Sequence, residues 1–111
     1  MNLIICGLSK NCLDTTKNNI ASLVDLKNYT KDLNLQIIIV DSDSNDGSKE
    51  FLEEVSNKYK YISVIHEDGL EDKYQSRIER IAHCRNRCLE AIKRNNYYQN
   101  FLYIPMDFDI N

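Results

Sequence analysis

Four apolar runs divide the chain, and each ends abruptly in small or charged residues. Leu3 to Leu8 has no in-and-out alternation and suits a strand covered on both faces. Leu35 to Val40 is the strongest strand signal, because the β-branched residues Ile37 to Val40 resist a helix and fit a doubly buried parallel strand. Tyr61 to Ile65 and Phe101 to Met106 repeat the pattern. Between these runs the apolar period lengthens to that of a helix. Leu13, Ile20, Leu23, Val24 and Leu26 mark a helix over Asn11 to Leu26, with Asn11 or Asp14 as cap. Phe51, Leu52, Val55 and Tyr59 mark a second from Lys49 onward. Ile78, Ile81, Ala82, Leu89 and Ile92 share one face of a third, from Ser76 to about Arg94, which Ser76 and Glu79 open as a capping box. The charged stretch from Gly69 to Tyr74 has no period and reads as a mobile link.

Strand alternating with helix predicts an α/β fold: a three-layer, open, mainly parallel sheet with right-handed crossovers and helices on both faces. Such sheets bind ligands beyond the carboxyl ends of their strands. The polar clusters Ser9 to Asn11, Asp41 to Ser48, His66 to Asp68 and Asp107 to Asn111 fall at those ends. The expectation is that the second and last strands run side by side, so that the carboxylates capping them share one cleft.

At 111 residues the chain has room for one domain of ordinary size. Its net charge of −3 comes without a basic stripe, which argues against a nucleic-acid partner. No apolar run reaches the roughly 18 residues of a membrane span, and Met1 to Leu8 lacks the features of a secretory signal. Cytoplasmic residence, or a peripheral place at a membrane, is the expectation. The four cysteines, Cys6, Cys12, Cys84 and Cys88, are read as reduced thiols, with Cys84 and Cys88 packed as small hydrophobes on the third helix.

The chemistry concentrates in a few side chains. Asp107 and Asp109, one residue apart at the end of a buried strand, suit Mn²⁺ or Mg²⁺ that takes its other oxygens from water and substrate phosphates. Asp41, at the tip of the most buried strand, can accept hydrogen bonds from a nucleobase or ribose, and Ser42 begins the rim beside it. The run Asp41-x-Asp-x-Asn starts like a calcium loop, but it follows a strand and Gly47 comes one residue late. Asp46 and Ser48 read as loop and cap residues. Arg85 falls near the centre of the third helix's apolar stripe, where a guanidinium needs an anion: a ligand phosphate, or a carboxylate such as Asp41 or Asp107. Arg77, at the helix start, is placed to reach a diphosphate.

Three segments together resemble the GT-A glycosyltransferases, the nucleotide-diphospho-sugar transferases. "IIIVDSDSNDGS" (37–48) is similar to their second-strand motif, "AHCRNRCLEA" (82–91) to the helix before their metal strand, and "FLYIPMDFD" (101–109) to the strand ending in their DxD motif. "RIERIAHCRNRCLEAI" is especially similar to the capsule-associated mannosyltransferases of fungi. The resemblance implies that residues 1–111 form a Rossmann-like nucleotide-sugar-binding domain, the donor-binding half, without the acceptor-binding portion that follows DxD in the family. By similarity, Asp41 would contact the base, Arg85 and Asn86 would lie at the donor pocket, Asp107 would approach ribose and metal, and Asp109 would ligate the metal. The partners implied are a nucleotide-diphospho-sugar donor and a glycan or lipid-linked acceptor. The rival readings are a non-catalytic α/β module that pairs with another chain, or a second copy, through an open sheet edge, and a receiver-like Mg²⁺ domain, which would need a lysine that does not follow Lys93.

Overall fold

A computed structural model of the chain describes residues 2–94 and 101–108, with the backbone alone for Phe101 and Asp107. The elements alternate as anticipated: β1 (Asn2–Ser9), α1 (Leu13–Tyr29), β2 (Asn34–Asp41), α2 (Ser48–Lys58), β3 (Ile62–His66), α3 (Leu70–Lys73), α4 (Arg77–Arg94) and β4 (Phe101–Asp107). The four strands form one sheet in the order β3-β2-β1-β4, and every pair is parallel.

That order corrects one expectation. β2 and β4 are not neighbours, because β1 lies between them, with Ser9 level with Asp41 on one side and Leu8 level with Asp107 on the other. The first three strands progress in one direction, and the connection through α4 returns the chain to the far side of β1. A reversal of this kind opens a crevice at the carboxyl ends of the strands flanking it.

Two cores cover the sheet, one on each face. Leu3 and Ile5 of β1 and Leu35, Ile37 and Ile39 of β2 pack with α1 and α2 through Ile20, Leu23, Leu52 and Val55. On the other face Ile4, Cys6, Leu8, Ile38 and Val40 meet Cys84, Cys88 and Ile92 of α4. Successive strand residues point to opposite faces, so β1 and β2 must be apolar at nearly every position.

The first core also reaches β4. The Phe108 ring is fully buried and lies against Gly7, where a Cβ would fall 2.7 Å from the Phe108 Cζ. Glycine is required at this position by proximity, since its φ is not in the left-handed region.

The phase of α4 differs from the predicted one. Ile78 is 79% exposed and Leu89 43%, while the buried line is Ile81, Cys84, Cys88 and Ile92, Ile81 being only partly covered. The cysteines complete the inward stripe and turn the helix by more than half a quadrant from the face that isoleucine, leucine and alanine alone define. Arg85 is therefore exposed instead of central to the buried face. The Gly69–Tyr74 link is also more ordered than its charge suggests: Leu70 is buried in the second core and the backbone forms one helical turn.

Candidate functional site

The loops that follow β1, β2 and β3 are braced to one another at the carboxyl edge of the sheet. Asn11 donates its backbone N–H to the Ser44 hydroxyl at 3.0 Å, and its side-chain oxygen accepts from the Asn45 N–H at 2.7 Å. One carboxylate serves two helix starts: Asp46 accepts from the Leu13 N–H of α1 at 3.1 Å and from the Ser48 N–H and hydroxyl of α2 at 3.1 and 2.6 Å. The cap of α1 thus comes from the next loop and not from Asn11 or Asp14. Burial opposes the charge on Asp46, yet these hydrogen bonds outweigh it and hold its pKa below the usual carboxylate value. Asp43 accepts from the Gly69 and Glu71 N–H groups at 2.6 and 3.2 Å, which ties the third loop to the second. Asn11 and Asp43 both hold positive φ, 46° and 52°, a conformation that asparagine and aspartate adopt more readily than most residues.

Asp41 stands out within this frame. It is fully buried, its Oδ1 accepts from the Ser44 hydroxyl at 2.6 Å, and among the described residues its Oδ2 has no hydrogen-bond partner. Burial raises its pKa, against the opposing pull of Ser44 and Ser9 and of the positive charges near His66 and Lys49. A buried carboxylate oxygen without a donor costs about 1–3 kcal/mol or more, so its persistence needs a reason outside the apolar core.

On the α4 side of the same edge lies a cavity of about 150 Å³. Its walls include Ser9, Lys10, Ser42, Arg77, Arg80 and Cys84. The volume is well below the roughly 300–1,000 Å³ of a pocket that encloses a whole small molecule, and so suits one polar portion of a larger ligand. Ser42 is buried, and burial pushes the Cys84 thiol up to about 11, which keeps it neutral. Arg80 donates to the Tyr74 and Gln75 carbonyls at 3.0 and 3.2 Å. Farther out, Glu67 after β3 accepts from Arg87 Nε and meets His83 Nε2 at 3.3 Å, fixing α4 to the strand edge.

The structure thus brings Asp41, Ser42 and Arg77 to the same edge, with Ser42 and Arg77 lining the cavity. Arg85 and Asn86 are exposed and lie outside its lining. Asp109 lies outside the described residues, as does the side chain of Asp107, whose backbone ends β4 level with Leu8. Among the described residues no group of three or more histidines, cysteines or acids converges to hold a metal. Lys10 belongs to the polar cluster Ser9 to Asn11, and Arg80, off the centre of the predicted helix face, reads from sequence as a solvated charge; the structure places both on the cavity wall. The signal for Lys10 was its place directly after β1, and for Arg80 its spacing of one turn from Cys84.

Among the described residues no helix is long and apolar enough to cross a membrane. A family model described as glycosyl transferase family 2 matches residues 5–92, from β1 to the last turn of α4. No curated protein matches the chain.

Proposed function

Because the chain belongs to glycosyl transferase family 2, we propose that it binds the nucleotide-diphospho-sugar donor of a metal-dependent transfer to a glycan or lipid-linked acceptor. The observation that carries this reading is the fully buried oxygen of Asp41 at the carboxyl edge of β2, which has no partner among the described residues. An N–H of a nucleobase, or a ribose hydroxyl, would supply the missing donor and recover the desolvation cost. The adjoining cavity, with Arg77, Arg80 and Lys10 in its walls, offers positive charge of the kind a diphosphate needs.

Asp107 and Asp109 are the proposed ligands of Mn²⁺ or Mg²⁺. Support for this comes from the anchoring of Phe108, the residue between them, under Gly7 at the edge of the crevice beside β1. When bound, the metal would offset charge on the nucleotide diphosphate as it leaves the anomeric carbon. The protein's own part is to seat the base on Asp41, draw the phosphates toward the cavity and hold the braced loops still.

Calorimetric titration with UDP-, GDP- and CDP-linked sugars, with and without Mn²⁺, tests the reading. The likeness to the capsule-associated mannosyltransferases makes a mannosyl donor the first to try. Metal-dependent binding is expected, lost in Asp109→Ala and weakened roughly tenfold or more in Asp41→Asn. Absence of binding by every donor would end it.

The exposed Leu102 and Ile104 of β4, 57% and 39% accessible, favour a second reading in which this edge meets another chain. Pro105 counts against backbone pairing there. The Phe108 N–H bonds to the Leu8 carbonyl, so the even-numbered residues turn their N–H groups toward β1 and Pro105 occupies an outward position with no donor. Sedimentation over a wide concentration range would separate the two readings.

A further inference from the structure

Two of the basic side chains around the cavity are already engaged with the segment linking β3 to α4. Arg80 holds the Tyr74 and Gln75 carbonyls, and Lys10 is ion-paired with Glu71. The segment is secured independently of that ion pair. Leu70 is buried in the core beneath it, Asp43 accepts from two of its backbone N–H groups, and the Tyr74 ring lies 5.5 Å from that of His83. The Lys10–Glu71 pair itself is open to water, with side-chain accessibilities of 30% and 52%. A pair so exposed adds little to stability. Its main effect is electrostatic: it sets a carboxylate against the ammonium group that would otherwise face an incoming anion.

We propose that Lys10 is a phosphate-binding residue of the donor cleft and that Glu71 is its stand-in counter-ion, displaced when a diphosphate arrives. The proposal rests on the reading that this cleft takes a nucleotide diphosphate. A phosphate carries more charge than one carboxylate and meets Ser42 in the same cavity, so it competes well for Lys10. The exchange needs rotation of the Glu71 side chain alone, because Leu70 and Asp43 keep the backbone in place.

Titration of the full chain with inorganic diphosphate, at low ionic strength and without metal, provides the test. Glu71→Gln should tighten binding about two- to fivefold, the scale of an exposed ion pair. Lys10→Ala should weaken it roughly tenfold. In the double variant the Glu71→Gln gain should vanish, since no ammonium group remains to be released. No diphosphate binding by the wild-type chain, no gain in Glu71→Gln, or a gain that survives Lys10→Ala would each overturn the proposal. Circular dichroism of each variant checks that the fold is intact. The same four proteins titrated with nucleotide-linked sugars separate this inference from the donor reading. Diphosphate binding that follows the pattern, with no donor bound, would sink the donor reading alone. Donor binding with diphosphate affinities equal across the four would sink the ion-pair exchange alone.

Discussion

The two faces of the sheet solve the same packing problem with different materials. The α1/α2 face is filled by branched aliphatic side chains and the Phe108 ring, and ends at the carboxyl edge in the buried polar group of Ser9, Thr16, Asp41, Ser44 and Ser48. The α4 face relies on three cysteines, leaves a cavity at the same edge, and exposes Ile78 and Leu89 on its helix. Aspartate and cavity thus lie on opposite sides of one row of strand tips. A ligand touching both must lie across the tips of β1 and β2, which matches a molecule with a base at one end and phosphates farther along.

Several substitutions would break or sharpen that contrast. The largest effect is expected at Phe108, whose replacement by alanine should cost about 3–5 kcal/mol in urea denaturation and also disorder the end of β4. Next come paired truncations on the two faces: Ile39→Ala should cost about 2–5 kcal/mol, whereas Cys88→Ala, which removes one sulfur atom, should cost about 1 kcal/mol. Equal losses would show that the faces contribute alike. Asp41→Asn should act in the opposite direction, raising stability by about 1 kcal/mol at neutral pH because the charge is removed from a buried site. The sign follows from linkage. The folded-state pKa of Asp41 is raised, so the folded chain holds this proton more tightly than the unfolded chain. Wild-type stability then falls as pH climbs from the unfolded value through the folded one, and the advantage of Asp41→Asn should shrink on acidification. A variant that gains stability while losing donor affinity would identify Asp41 as a binding group and not a packing one. The smallest effect is expected at Arg85→Ala, which should leave diphosphate affinity within about twofold, since an exposed charge outside the cavity contributes little.

Much of the fold was legible because its strands are extreme. Ile37 to Val40 permits hardly any structure but a doubly covered strand, and the loops after each run announce the carboxyl edge. The order of strands was less accessible: β1 and β2 are both apolar throughout, and nothing in such a run states which neighbour it takes. The phase of α4 was misread for a definite reason. Cys84 and Cys88 are small and weakly hydrophobic by composition, yet once buried they fill the stripe as alanine or valine would, and leaving them out of the count drew Arg85 inward. The position of Asp41 at a buried strand tip was legible because it is local to one apolar run. The places of Lys10 and Arg80 on the cavity wall depend on what α4 and the β3–α4 segment bring beside them, which no short window of sequence contains.

The double duty of Asp46 has a consequence for acid behaviour. Its depressed pKa means that its contribution is present above the unfolded value and disappears as pH drops through the folded one. A single proton would therefore release the Leu13 and Ser48 amides together. Amide exchange at pH below the ordinary carboxylate pKa should show α1 and α2 fraying in step at their first turns, as two doors hung on one post.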